Sequence, residues 1–91
     1  MRGKYIIFED ENGMKYPVIF PDYVPHDIVS IYNAKPASAG EFLTREEDDT
    51  SPRAIFLKRT VFYCRGKSIS LGKSSREEDS KDLTNYFRED Q

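Results

Sequence analysis

The sequence predicts an α+β domain: a small, largely antiparallel, curved sheet of about five strands with two short helices, in the order β-β-α-β-β-β-α. Short runs of aromatic and β-branched residues, separated by turn residues, indicate the strands. Two further segments carry apolar residues at helical spacing. No crossover helices separate most of the strands, so neighbours should run antiparallel. A strongly curved sheet that approaches a half-barrel is the structural alternative.

The first unit is a predicted β-hairpin. Residues 4–9 and 14–20 contain many aromatic and β-branched residues, and they flank Asn12-Gly13, a dipeptide favoured in hairpin turns. Alternation in the second arm predicts one buried side and one partly solvated side. Because Pro17 has no backbone N–H to donate, we expect this arm at an edge of the sheet.

Residues 26–33 predict a two-turn helix. Pro25 presets the backbone angle of a first helical turn, and the apolar side consists of Ile28, Val29 and Tyr32, with Ile31 flanking. Asn33 marks the expected end. So short a helix is marginal alone, so packing would have to hold it in place.

The second half of the chain predicts further strands and a terminal helix. Gly66-Lys67 suggests the turn of a second hairpin. The expected segments are a strand at 37–44, an acidic loop at 45–52, and strands at 54–57, 60–64 and 68–71, the last two forming the hairpin. The terminal helix is expected to have a capping box of Ser74 and Glu77 or of Ser75 and Glu78, an apolar stripe of Leu83, Tyr86 and Phe87, and a frayed end at 88–91.

Length and composition predict a single small domain, residues 1–91, with a modest core. Apolar residues including Gly but not Tyr number 33 of 91, about 36%, against the roughly 45–50% typical of soluble domains. Six Phe and six Tyr offset that share because aromatic rings bring large contact areas. We therefore expect an ordered fold with a thin margin of stability.

We expect a cytoplasmic protein without a membrane span. No apolar run approaches the ~20 residues needed to cross a bilayer, and the first residues reach acidic ones before a signal-peptide core could form. Cys64 is the only cysteine, so no internal disulfide can form. We interpret it as a small core residue.

Basic residues are concentrated between residues 53 and 76, where no acidic residue occurs. Exposed cations with interleaved aromatic rings can bind single-stranded nucleic acid, since cations neutralise phosphates and rings stack on bases. Alternation puts Phe62 and Tyr63 on opposite faces, so only one of them joins the cations. The alternative is that nearby carboxylates neutralise the patch. The candidate binding residues are Lys58, Arg59, Tyr63, Arg65, Lys67, Lys73 and Arg76.

Catalytic and metal-binding motifs are not apparent, and we expect a non-enzyme without metal or cofactor. Gly66 and Gly72 lie six positions apart, whereas a phosphate-binding loop needs five. His26 is the only histidine, and at a predicted helix start it is expected on the surface. The acidic run at residues 46–49 lacks the glycine and spaced ligands of a calcium loop.

Three segments resemble parts of short uncharacterised bacterial and phage proteins, over about the C-terminal two thirds of the chain. The resemblance implies no activity and no role for any residue. The segments are residues 37–42, 64–72 and 75–79.

Two functional hypotheses follow. The first is a non-enzymatic protein-interaction or adaptor module that binds another protein, or a second copy of itself, through a sheet edge or an exposed aromatic patch. Tyr23, Tyr32 and Tyr63 are the aromatic residues expected in that patch. The second is a nucleic-acid-binding accessory protein that uses the basic region between residues 53 and 76.

Overall fold

The computed structural model describes residues 1–48 and 58–87, with the main chain alone at residues 48 and 58. Within these ranges the chain forms six strands, one short 3₁₀ turn and one helix. The strands are β1 (Arg2–Asp10), β2 (Lys15–Phe20), β3 (Ala34–Asp48), β4 (Lys58–Arg65), β5 (Lys67–Ser68) and β6 (Lys73–Ser74); the 3₁₀ turn is His26–Ile28, and the helix α1 is Asp79–Tyr86.

The predicted first hairpin is confirmed. The carboxylate of Asp10 accepts hydrogen bonds from the backbone N–H groups of Asn12 and Met14, both at 2.9 Å. These bonds lower the pKa of Asp10. Gly13 has a φ of 80°, a left-handed conformation that glycine adopts without steric cost. The local sequence therefore determines the turn and the β1–β2 register.

The main sheet has four antiparallel strands in the order β2-β1-β3-β4. β2 lies at an edge, as Pro17 predicted, and β1 and β3 are central. The side chains of β1 alternate between two covered faces. Tyr5 and Ile7 are buried on one face, and Ile6 and Phe8 on the other.

Each face of the sheet has its own apolar cluster. On the face that we call the helix face, Leu83 of α1 packs against a cluster of β-strand residues. On the opposite face, which we call the loop face, segment 21–33 and the β5–β6 ribbon supply the cover. The helix-face cluster consists of Tyr5, Ile7, Phe42, Phe62 and Leu83, and the loop-face cluster of Ile6, Phe8 and Ala39.

The predicted helix at residues 26–33 is wrong, because only His26–Ile28 forms a 3₁₀ turn. Ile28 and Tyr32 of the expected apolar side are exposed, whereas its third residue is not. That residue, Val29, packs on the loop face together with Ile31. Since an extended segment presents alternate residues to the sheet, it buries these two side chains in a way that a two-turn helix could not.

The predicted short strand at 37–44 is part of a longer one, and the predicted acidic loop at 45–52 begins inside that strand. β3 runs from Ala34 to Asp48 and pairs with both β1 and β4. β1 pairs with β3 up to Leu43, and β4 pairs with it from Glu41 to Asp48. The pairing with β4 therefore stabilises as strand an acidic segment that its sequence alone does not favour as strand. Residues 49–52, the predicted strand at 54–57 and the predicted fraying at 88–91 lie outside the described residues.

The predicted hairpin between 60–64 and 68–71 is also wrong. β4 pairs with β3, while β5 pairs with β6 in a separate two-stranded ribbon. Residues 69–72 form the ribbon's turn, and Gly72 has a φ of 66°. The alternation of Ile69 and Leu71 with serines thus marks a turn in which Leu71 alone packs on the loop face.

The terminal helix forms, but it begins at Asp79, and neither predicted capping box is present. The hydroxyl of Ser75 instead donates a hydrogen bond to the hydroxyl oxygen of Tyr5 at 2.8 Å, because the single proton of Tyr5 is donated to Asp79. Leu83 is fully buried, whereas Tyr86 is exposed. No helix in residues 1–48 and 58–87 has the length and hydrophobicity needed to span a bilayer.

Candidate binding surfaces

The loop face of the sheet is covered only in part. Val29, Ile31 and Leu71 pack over one end of it. Past this cover, β1, β3 and β4 present charged and aromatic side chains on the same face, as their pairing register requires. We call this surface the open face; it consists of Arg2, Lys4, Glu41, Leu43, Tyr63 and Arg65.

A cavity of about 380 Å³ lies on the open face. All six open-face residues line it, and Asp22 from segment 21–33 lines it as well. Three cationic and two acidic side chains therefore meet in one cavity beside the apolar surface of Leu43 and Tyr63. We call this cavity the groove.

The strand register arranges the open face as two rows that cross β1, β3 and β4. In the first row, Glu41 stands between two cations. One of these, Lys4, donates a hydrogen bond to the carbonyl of Val24 at 3.1 Å and so ties segment 21–33 to the groove. The rows are Lys4, Glu41, Arg65 and Arg2, Leu43, Tyr63.

Tyr63 is 41% exposed, but its side chain already has partners. Its hydroxyl donates a hydrogen bond to the carboxylate of Glu47, which raises the pKa of Tyr63. The guanidinium of Arg45 lies 5.7 Å from the ring centroid, within the range of a cation–π interaction. A base that stacked on this ring would therefore compete with Arg45.

The structure separates the predicted basic residues into several places. Arg59 and Arg65 are exposed on β4, where they pair in register with Glu47 and Glu41 of β3. The other predicted cations lie elsewhere: Lys67 and Lys73 are exposed on the ribbon, Arg76 is half-buried before α1, and Lys58 begins β4, with only its main chain described.

Large apolar side chains are exposed along segment 21–33 and at the ribbon turn. Tyr32 is 90% exposed, Tyr23 82% and Ile28 69%, while Ile69 of the ribbon turn is 86% exposed. Tyr23 lies between Asp22, which lines the groove, and Val24, which accepts the bond from Lys4. The exposed aromatic surface therefore continues to the rim of the groove.

Both edges of the main sheet have features that oppose pairing with a further strand. At the β2 edge, Pro17 supplies no N–H. At the β4 edge, α1 covers the backbone: Phe62 N–H donates to the hydroxyl of Thr84, and Cys64 N–H donates to that of Ser80, both at 2.9 Å. These positions cannot accept an added strand without loss of the bonds to α1.

The sequence reasoning missed a buried network around Asp79, which is fully buried at the start of α1. Its carboxylate accepts hydrogen bonds from Tyr5 at 2.6 Å, Ser38 at 3.0 Å and the backbone N–H of Arg76 at 2.9 Å. The Nε of Arg76 donates to it at 3.2 Å, whereas the buried Nη2 has no partner. Burial and the bond to Asp79 raise the pKa of Tyr5. The network joins α1 to β1 and β3.

Cys64 packs against the helix-face cluster, and its burial raises the pKa of the thiol to about 11. His26, expected on the surface, is buried, so that prediction is wrong. Its Nε2 donates to the carbonyl of Gly40 at 3.1 Å, and its ring meets Phe20 edge-on at 5.5 Å. The fold of segment 21–33 over the sheet buries this histidine.

The described parts of the chain contain no group of three or more histidine, cysteine or acidic residues placed to hold a metal ion. What the fold presents is an antiparallel sheet with one polar, partly open face and an adjoining aromatic segment. Comparison with protein-family models, curated proteins and solved structures found no match to this chain. The resemblance to short bacterial and phage proteins stays a prediction.

Proposed function

We propose that this protein is a non-enzymatic interaction module that binds a partner protein through segment 21–33 and the adjoining groove. This proposal rests on the solvent exposure of three large side chains, Tyr23, Ile28 and Tyr32. Solvent-exposed aromatic and branched side chains close together in one segment are typical of protein-binding surfaces. The segment packs Val29 and Ile31 inward, so the exposed side chains extend from an anchored backbone.

The aromatic segment is a better candidate for the contact than the sheet edges. Pro17 at one edge and the α1 hydroxyl groups at the other oppose strand addition. Tyrosine is also enriched at binding hot spots, because one rigid ring supplies both apolar area and a hydrogen-bonding group. The partner is therefore expected to bury tyrosine side chains rather than extend the sheet.

Site-specific cross-linking tests this proposal. A photoreactive phenylalanine analogue at Tyr32 should give a specific adduct in cells that naturally make the protein, whereas the same analogue at exposed Asn85 of α1 should not. The partner identified in the adduct is then purified and titrated. Tyr23→Ser and Tyr32→Ser should each weaken its binding by about tenfold, since truncating a contributing interface residue costs more than about 1 kcal/mol and ~1.4 kcal/mol is tenfold in affinity.

Sedimentation velocity at two protein concentrations tests whether a second copy is the partner. A concentration-dependent species that Tyr32→Ser removes would identify self-association as the interaction. A monomer that gives no adduct at Tyr32 above the level at Asn85 would refute the proposal.

A nucleic-acid-binding accessory function is the second candidate. It is favoured by one observation: Arg59, Tyr63 and Arg65 lie on the same exposed face of β4. Fluorescence anisotropy with labelled single-stranded and duplex oligonucleotides tests it, because phosphate binding weakens steeply with salt. Absence of binding at low salt would remove this candidate and leave the first untouched.

A further inference from the structure

We propose that the groove binds an acidic segment of the partner protein, with two carboxylates of that segment held by Arg2 and Arg65. This inference rests on the proposed interaction function and deepens it by giving the chemistry of the partner. In this arrangement segment 21–33 contacts the partner at the rim of the groove, and the carboxylate–arginine contacts form inside the groove.

Two of the three cations of the groove, Arg2 and Arg65, are available to a ligand. Among the described residues, no carboxylate forms an ion pair with Arg2 or Arg65, although Glu41 is the cross-strand neighbour of Arg65. Lys4 is instead occupied by the carbonyl of Val24. The planar guanidinium groups of two arginines match the geometry of carboxylates and can bind each one with two hydrogen bonds.

The strand register sets the spacing of the two arginines. Arg2 lies in the row of Tyr63, and Arg65 lies two residues farther along β4, with β3 between the two strands. With strands ~4.8 Å apart and a rise of ~3.4 Å per residue, the two backbone positions are roughly 12 Å apart. An extended peptide advances about 13 Å over four residues. Two acidic residues separated by three others therefore fit the groove.

Charge within the groove favours a peptide over nucleic acid. Glu41 and Asp22 line the same cavity as the cations. A nucleic acid carries a phosphate on every nucleotide and would meet these carboxylates, whereas a peptide can place its two charges on the arginines and its N–H donors near Glu41. The ring of Tyr63 already has Arg45 as a cation–π partner, so a base that stacked on that side of the ring would have to displace the guanidinium.

An NMR titration of the whole protein with a synthetic peptide tests the inference. The probe is acetyl-Gly-Glu-Ala-Ser-Ala-Glu-Gly-amide, and the control peptide has glutamine in place of both glutamates. The acidic peptide should shift backbone amide signals of β1, β3 and β4 around Leu43, and its affinity should fall with added salt. The glutamine peptide should bind at least about fivefold more weakly.

Matched variants assign the binding to the groove. Arg2→Gln and Arg65→Gln should each weaken the acidic peptide by about fivefold, because each removes one charge-assisted contact. Lys67→Gln, which removes one exposed cation from the ribbon, should change the affinity by less than about twofold. Equal losses in all three variants would show a response to net charge and would overturn the inference.

Further outcomes separate this inference from the proposed function. If the acidic peptide causes no shifts at low salt while the Tyr32 adduct still forms, the groove assignment fails and the interaction function stands. If a single-stranded oligonucleotide binds the groove and the peptide does not, the ligand class is wrong. If Arg65→Gln abolishes self-association seen by sedimentation and no peptide binds, a second copy occupies the groove, which also overturns the inference.

Discussion

Replacing Asp79 with asparagine should lower the free energy of unfolding by about 3 kcal/mol. The carboxylate is fully buried and accepts four hydrogen bonds, from Tyr5, Ser38 and two nitrogens of Arg76. Asparagine keeps one acceptor oxygen but turns the other position into a donor, which then faces Tyr5 and the backbone N–H of Arg76. The charge that compensates the half-buried Arg76 is lost as well.

The magnitude follows from the contacts. A hydrogen bond to a charged group contributes roughly 1.5–3 kcal/mol and a neutral one about 1 kcal/mol. Loss of two bonds at one carboxylate oxygen and weakening of two at the other would sum to more than 3 kcal/mol. Relief of the desolvation cost of the buried charge of Asp79 offsets part of that sum.

Urea unfolding followed by circular dichroism measures the change, and Asp82→Asn is the control. Asp82 lies one turn along α1 and forms an ion pair with Lys15 at 2.9 Å, with 24% of its side chain exposed. Such a partly exposed pair contributes at most ~1 kcal/mol. If Asp79→Asn were no more destabilising than Asp82→Asn, the network around Asp79 would not be what joins α1 to the sheet.

Two further predictions concern the helix face and the close approach of two strands. Because burial raises the pKa of Cys64 to about 11, its thiol should react with alkylating reagents at least about tenfold more slowly than free cysteine at mildly alkaline pH. Its rate should keep rising up to that pKa, and a plateau below pH ~9 would contradict the burial. Gly40→Ala would place a methyl group 2.5 Å from the carbonyl oxygen of Arg65. Thermal unfolding should therefore show that the free energy of unfolding falls by more than about 2 kcal/mol. Gly66→Ala, with open space but a φ of +86°, should cost only about 1 kcal/mol, and equal losses would refute the steric argument.

The local features of the chain could be predicted from residue patterns. Asn12-Gly13 with its flanking alternation predicted the first hairpin, and Pro17 predicted the edge position of β2. Alternation also placed Phe62 and Tyr63 on opposite faces, and the structure buries Phe62 and exposes Tyr63. These features depend on residues within a few positions of one another, so backbone sterics and side-chain periodicity determine them.

Features that depend on distant packing could not be predicted in this way. The apolar residues of segment 26–33 have helical spacing, yet the segment is more stable with Val29 and Ile31 packed on the sheet. β3 is long because β1 and β4 both pair with it. The groove exists only because that pairing brings Arg2 and Arg65 to the same face.

The sequence by itself therefore determined the class of the domain, its first hairpin and the alternation of side chains between the two faces of each strand, because these follow from local geometry. Only the tertiary structure decided the role of Asp79, whose partner Tyr5 is 74 residues away in the chain. A buried carboxylate is stable only where several hydrogen-bond donors surround it, and no local sequence pattern predicts which donors the fold brings together.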